Sequence, residues 1–146
     1  MTLSTLLRLG RVSNLPTVWT NALAGAILAG GESFFWTFLL TGLALTLFYE
    51  GGMWLNDAFD AEIDKAERAD RPIPNGEINQ RTVFIGGFGM LAAGVLIAFL
   101  MGTNAGLAGI ALAVMITAYD ALHKKVSFGP VLMGATRFLS LSLIHI

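Results

Sequence analysis

Apolar positions in this chain come in long blocks, not in the two-residue rhythm of a half-buried strand or the sustained heptads of a coiled coil. Blocks with little or no charge cover about residues 15–30, 34–55, 83–101 and 105–119, and a further apolar block runs through about 126–146. A helix that crosses a bilayer takes roughly 17–25 such residues. Each block is therefore read as a membrane helix; the first and fourth are short enough to need an interfacial extension or a locally thin bilayer. The pattern predicts an all-α integral membrane protein, a helical bundle of four transmembrane helices plus the start of a fifth. Residues 1–10 lack a signal-peptide cleavage pattern and read as a short amphipathic lead-in with Arg8, followed by Arg11. Small residues four apart (Gly25 with Ala29, Gly94 with Ala98, Gly102 with Gly106) mark faces where helices approach closely.

Composition supports the bilayer as solvent. Hydrophobic residues make up 55% of the 146 positions and charged residues 13%, against roughly 25% charged in a soluble domain. The absence of Cys excludes disulfides, thiolate metal sites and Cys nucleophiles. All nine Lys and Arg precede the first block, separate the second from the third, follow the fourth or lie within the fifth. The connections at 30–33 and 102–104 hold none. Positive-inside logic then places the N-terminus, the 56–81 connection and the 122–127 connection in the cytoplasm. Trp19, Trp36 and Trp54 near block ends fit interfacial anchoring, and Trp54 equally fits a pocket wall.

The 56–81 connection carries the candidate chemistry. Seven carboxylates lie between Asp57 and Glu77, interleaved with Lys65, Arg68 and Arg71. No Gly or Pro interrupts the stretch before Pro72, so the second helix is expected to continue well beyond the membrane. On such a helix Asp57, Asp60, Asp64, Arg68 and Arg71 fall within about 80° of arc, and Asn56 heads an i+4 row through Asp60 and Asp64. Aligned carboxylates repel by about 0.2–0.5 kcal/mol per pair, a poor arrangement unless a cation joins them. Oxygen donors without His or Cys favour a hard ion, Mg²⁺ or Ca²⁺. An EF-hand loop started at Asp60 fails, with Lys65 in the glycine position and Arg71 in that of the closing glutamate. Mg²⁺ completes its shell with phosphate oxygens and water, and arginines bond phosphate bidentately. The residues thus predict a metal-bridged diphosphate at the membrane surface; the bland alternative is a solvated helix end laced with salt bridges.

The run Asn56-Asp57-x-x-Asp60-x-x-x-Asp64, then Arg68 and Arg71-Pro72-Ile73-Pro74-x-Gly76, resembles the first aspartate-rich signature of the UbiA superfamily of intramembrane prenyltransferases, 4-hydroxybenzoate polyprenyltransferase-like. Arg8-x-x-Arg11-x-x-Asn14-x-x-Thr17 is similar to the family's first-helix entrance, Tyr119 with Lys124 to a tyrosine–lysine pair closing the fourth helix, and 129–137 to the start of the fifth. The resemblance implies Mg²⁺-dependent transfer of a prenyl group from an isoprenoid diphosphate to a small-molecule, aromatic acceptor at the cytoplasmic face. It implies Mg²⁺ on Asn56, Asp60 and Asp64, Asp57 in direct or supporting contact, and diphosphate contacts from Arg68, Arg71, Lys124 and Tyr119. Membrane lipids are the surroundings, a bacterial inner membrane is the expected location, and no nucleic acid is involved; oligomeric state is not encoded legibly. Asp120 is the sole acid after Glu77, so no second aspartate-rich motif follows. Residues 1–146 are accordingly read as the N-terminal part of a UbiA-like domain, inactive alone, whose second half is absent and whose tail at 140–146 departs from the expected continuation. The non-enzymatic alternatives are a membrane scaffold or transport-associated subunit, or a protein that binds polyprenyl lipid without turnover.

Two polar residues inside apolar blocks extend the candidate site. Asn21 shares a helix face with Asn14 and suits either interhelical hydrogen bonding or a cavity contact. Glu50 precedes Asp57 by seven residues on the same face, about 10 Å deeper. A buried membrane carboxylate costs several kcal/mol unless paired, hydrated or protonated, so Glu50 is either protonated and hydrogen-bonded between helices or part of the acceptor cavity. In the second case Glu50→Gln lowers turnover of the acceptor several-fold while donor diphosphate affinity stays within about twofold. Steady-state kinetics beside donor binding separates the two, and the reverse pattern removes Glu50 from the acceptor cavity.

Overall fold

The structure, a computed structural model, describes residues 2–29 and 34–122. Its first helix, α1 (Leu3–Gly10), is opened by Thr2, whose hydroxyl accepts from the Thr5 amide at 3.3 Å, satisfying one orphan N–H. Arg11 closes it in the left-handed region (φ 46°), and its amide bonds back to the Arg8 carbonyl. A 3₁₀ turn at Val12–Asn14 then redirects the chain into α2 (Leu15–Ala29). Among the described residues only helices occur, the others being α3 (Phe34–Glu67), α4 (Gln80–Met101) and α5 (Thr103–Leu122).

Three of these, α3, α4 and α5, are long and apolar enough to cross a membrane. The first expected span coincides with α2 (Leu15–Ala29), whose 15 residues make about 22 Å of helix against a hydrocarbon core of roughly 30 Å, the short span that the block length predicted. The expected fifth span lies outside the described residues. The 34 residues of α3 reach about 51 Å, so one end of α3 stands well clear of any bilayer that the rest of it crosses. That end carries the acidic row.

The bundle is assembled on α3, which contacts every other helix, α4 most extensively. Phe48 and Leu55 of α3, Leu91 and Ala98 of α4, and Ala105 and Leu112 of α5 form the main buried cluster. Where α3 and α4 cross, backbone meets backbone. A Cβ on Gly51 would lie 2.9 Å from the Gly87 carbonyl oxygen, and one on Gly87 would lie 2.8 Å from Leu55 and 3.2 Å from the Gly51 oxygen. Gly94 and Ala98 behave as the four-residue spacing predicted: both are buried, Gly94 against Phe48 and Ala98 against Gly109. Gly102 does not. It is exposed with φ 142° and ends α4, so its role is the sharp α4–α5 turn. Trp19 and Trp54 also depart from pure interfacial anchoring, their rings lying over Gly42 and Gly86, while Trp36 is exposed.

At the other end of α3 and α4, residues 68–79 wind through successive turns, with Asn75, Gly76 and Glu77 amides donating to the Arg71, Ile73 and Pro72 carbonyls. Leu9 of α1 is fully buried there with Ala58, Ile78 and Val83, and Ile73 and Trp54 pack around them. Polar contacts complete the clasp. Thr5 Oγ1 donates to Glu77 at 2.7 Å, Arg8 pairs with Glu77 at 3.2 Å, and Arg8 Nη2 donates to the Asp70 carbonyl at 2.7 Å. The Thr5 and Asn75 hydrogen bonds, with Arg8 beside them, hold the Glu77 carboxyl below the usual glutamate range.

Two outcomes follow from this arrangement. Gly87→Ala overpacks the α3–α4 crossing and lowers unfolding free energy by about 1–3 kcal/mol. Gly89→Ala, whose Cβ meets nothing within 4 Å, is neutral or stabilising by up to about 1 kcal/mol; denaturant titration in detergent compares them. The depressed Glu77 pKa means that the folded state binds this proton more weakly than the unfolded chain. Its contribution is therefore present above the ordinary glutamate pKa of about 4.3 and is lost as pH falls through the folded value. The difference in thermal midpoint between the native protein and Glu77→Gln should shrink over that acidic interval and stay constant from pH 6 to 8.

Candidate functional site

Asp57, Asp60 and Asp64 lie on one face of α3 and are only 6%, 7% and 3% exposed. Burying three like charges costs several kcal/mol per ion unless partners replace the lost water. Arg71 is the main replacement. Its Nη1 donates to Asp57 Oδ1 at 3.0 Å and to Asp64 Oδ2 at 2.6 Å, so one nitrogen joins carboxylates two helical turns apart. Arg11 Nη2 adds a longer pairing with Asp57 at 3.6 Å, its direction set by the left-handed turn that ends α1. Across the bundle, Asn56 Nδ2 donates to Asp120 Oδ1 of α5 at 3.4 Å, and Asp120 is likewise buried. Asp57, Asp60, Asp64, Asn56 and Asp120 are thus gathered by two helices, with Arg71 and Arg11 as their counter-ions.

The route by which Arg71 arrives corrects the continuous-helix expectation. The α3 helix stops at Glu67 and the chain turns from Arg68 onward, and Pro72 keeps Arg71 out of helical backbone. Arg71 therefore folds back onto the row instead of extending it, while Arg68 is exposed and joins no ion pair among the described residues. Tyr119 is half-buried beside Asp120; Lys124 lies outside the described residues. Asn21 is exposed on α2. The Glu50 carboxylate lies directly over Gly10, where a Cβ would collide with it, and its Oε1 is enclosed without a hydrogen-bond partner among the described residues. Two participants had no site role assigned from the sequence: Arg11 figured only in the lead-in and the first-helix run, and Asp120 only as the sole acid after Glu77.

The donor set suits a hard divalent cation, being carboxylate and amide oxygen throughout. Among the described residues no three acidic or histidine side chains converge closely enough to hold a metal ion unaided. An oxygen donor set of this kind suits Mg²⁺ where phosphate oxygen and water complete the shell around one or two protein carboxylates.

Comparison with known proteins agrees with this layout. Residues 17–144 match the model of the UbiA prenyltransferase family. A digeranylgeranylglyceryl phosphate synthase from Methanothrix thermoacetophila is 38% identical over 99 residues, covering 66% of this chain and 37% of the relative. The enzyme of the same name from Saccharolobus solfataricus is 29% identical over 147 residues, covering 97% of this chain and 51% of the relative. A solved structure concerning digeranylgeranylglyceryl phosphate synthase in membranes superimposes with a TM-score of 0.87 at 23% identity, covering 97% of this chain and 52% of that one; at this identity the likeness establishes the fold. The chain thus spans about half the length of these relatives, or less. From the family match across nearly all its length, the chain belongs to the UbiA prenyltransferase family.

Proposed function

We propose that this chain supplies the donor-binding wall of a prenyltransferase that moves an isoprenyl group from its diphosphate to a lipophilic acceptor at the cytoplasmic face of a membrane. The observation that carries the reading is the buried face of Asp57, Asp60 and Asp64, with Asp57 and Asp64 both paired to an arginine carried by a turn. Asn56, Asp60 and Asp64, with Asp57 beside them, would hold Mg²⁺. When bound, the ion neutralises the leaving diphosphate. Arg71, with Arg68, Lys124 and Tyr119, takes up the remaining phosphate charge by hydrogen bonding. Glu50, enclosed against α1, and Asn21, on an exposed face of α2, are the residues assigned to the acceptor, and the apolar bundle keeps water from the allylic cation.

The relatives' shared name describes a product in which a glyceryl phosphate carries two geranylgeranyl groups. It favours a glyceryl phosphate acceptor over the aromatic one that the sequence suggested. In that reaction the bond between the allylic carbon and the diphosphate oxygen breaks, a carbon–oxygen bond to the glyceryl hydroxyl forms, and the hydroxyl proton leaves to water. The same relatives are archaeal, which favours an archaeal type of lipid chemistry over the bacterial inner membrane first expected. The clustering of Arg8, Arg11 and the 68–79 turn at one end of the bundle supports a cytoplasmic site.

Asp60→Ala or Asp64→Ala in the full-length protein should lower prenyl transfer by at least about a hundredfold, measured as radiolabelled prenyl chain entering the lipid extract. Turnover that survives with unchanged Mg²⁺ dependence refutes the site. Donor binding without any transfer to a glyceryl phosphate or an aromatic acceptor favours the lipid-binding alternative.

A further inference from the structure

The Arg71 side chain does something a simple phosphate ligand need not do: it already occupies the meeting point of two carboxylates. Its Nη1 is within hydrogen-bond distance of both Asp57 and Asp64, whose side chains are 8% and 4% exposed, while its own side chain is 18% exposed. A nitrogen so shared carries the role of a resident cation. The Arg71 backbone is fixed: its amide donates to the Arg68 carbonyl at 3.0 Å and its carbonyl accepts from Asn75 at 2.9 Å. On either side the turn is anchored, by Asp70 and Glu77 to α1 and by Ile73 and Ile78 in the apolar cluster. The side chain can therefore change partners by rotation about its own bonds, with the turn left in position.

We infer that Arg71 is a built-in competitor of the metal, holding Asp57 and Asp64 until a diphosphate offers its guanidinium a better anion. A bare divalent ion must displace the guanidinium and offers it no anion in exchange. A metal–diphosphate complex supplies the ion to the carboxylates and phosphate oxygens to the arginine together, so every charge stays paired throughout the exchange. Cation and diphosphate consequently bind as one unit, and the acidic face does not load with metal alone. This rests on the donor-site reading proposed above and adds the coupling between the two ligands.

The test is binding, on full-length protein in detergent, read by Mn²⁺ electron paramagnetic resonance and by thermal shift with Mg²⁺, each with and without inorganic pyrophosphate. The native protein should bind Mn²⁺ at least about tenfold more tightly with pyrophosphate present. Arg71→Gln should gain affinity for Mn²⁺ alone by about tenfold, acquire a thermal shift with Mg²⁺ alone, and lose affinity for pyrophosphate. Arg71→Lys, which keeps a competing charge, should gain no affinity for Mn²⁺ alone. Equal Mn²⁺ affinity of the native protein with and without pyrophosphate overturns the inference even if neither variant folds, as does an unchanged metal affinity in a folded Arg71→Gln. Failure of the native protein to bind the metal–pyrophosphate pair at all is a different result. It removes the donor-site reading, and the coupling falls with it.

Discussion

The structure depends on keeping three carboxylates out of water on one side of a single helix. Asp57, Asp60 and Asp64 are buried as deeply as many of the apolar residues around them, and buried anions of one sign are stable only with compensating charge in good geometry. The end of α3, the 68–79 turn and α1 are all arranged around that requirement. Arg71 is carried back to the row by the turn, the turn is held by α1, and α1 ends in a left-handed residue whose guanidinium reaches Asp57. The membrane-spanning part serves the same end through the glycine crossing that fixes α4 against α3.

Much of this was legible in the residues. Hydrophobic blocks located α2, α4, α5 and the start of α3 within a few residues, because length and apolarity are strict requirements of a bilayer and need no tertiary information. The acidic row was legible because i+4 spacing survives in any helix. Gly94 and Ala98 were read correctly from their spacing for the same reason.

What could not be read were contacts made by residues far apart in sequence. Extending the helical wheel to Arg71 reached the right residue by the wrong path. Periodicity cannot register that a helix has ended, and α3 ends at Glu67, before any Gly or Pro marks the stop. The pairing of Arg11 with Asp57, of Asn56 with Asp120, and of Glu50 with Gly10 joins elements whose relative placement no local pattern encodes. Gly102 illustrates the converse: a spacing rule for close approach was satisfied by a glycine that serves backbone geometry.

The α1 clasp also imposes an order on biosynthesis. Thr5 and Arg8 are made at the start of the chain, yet their partner Glu77 lies 72 and 69 residues further on. While α2 and α3 are being inserted, α1 has no partner for Leu9 or for its polar face and must wait at the membrane surface. Residue 77 emerges only after the whole acidic row and Arg71, so the row and its counter-ions are synthesised before the segment that clasps α1. The nascent chain therefore passes through a stage with α1 still undocked, and ribosomal output itself sets how long that stage lasts.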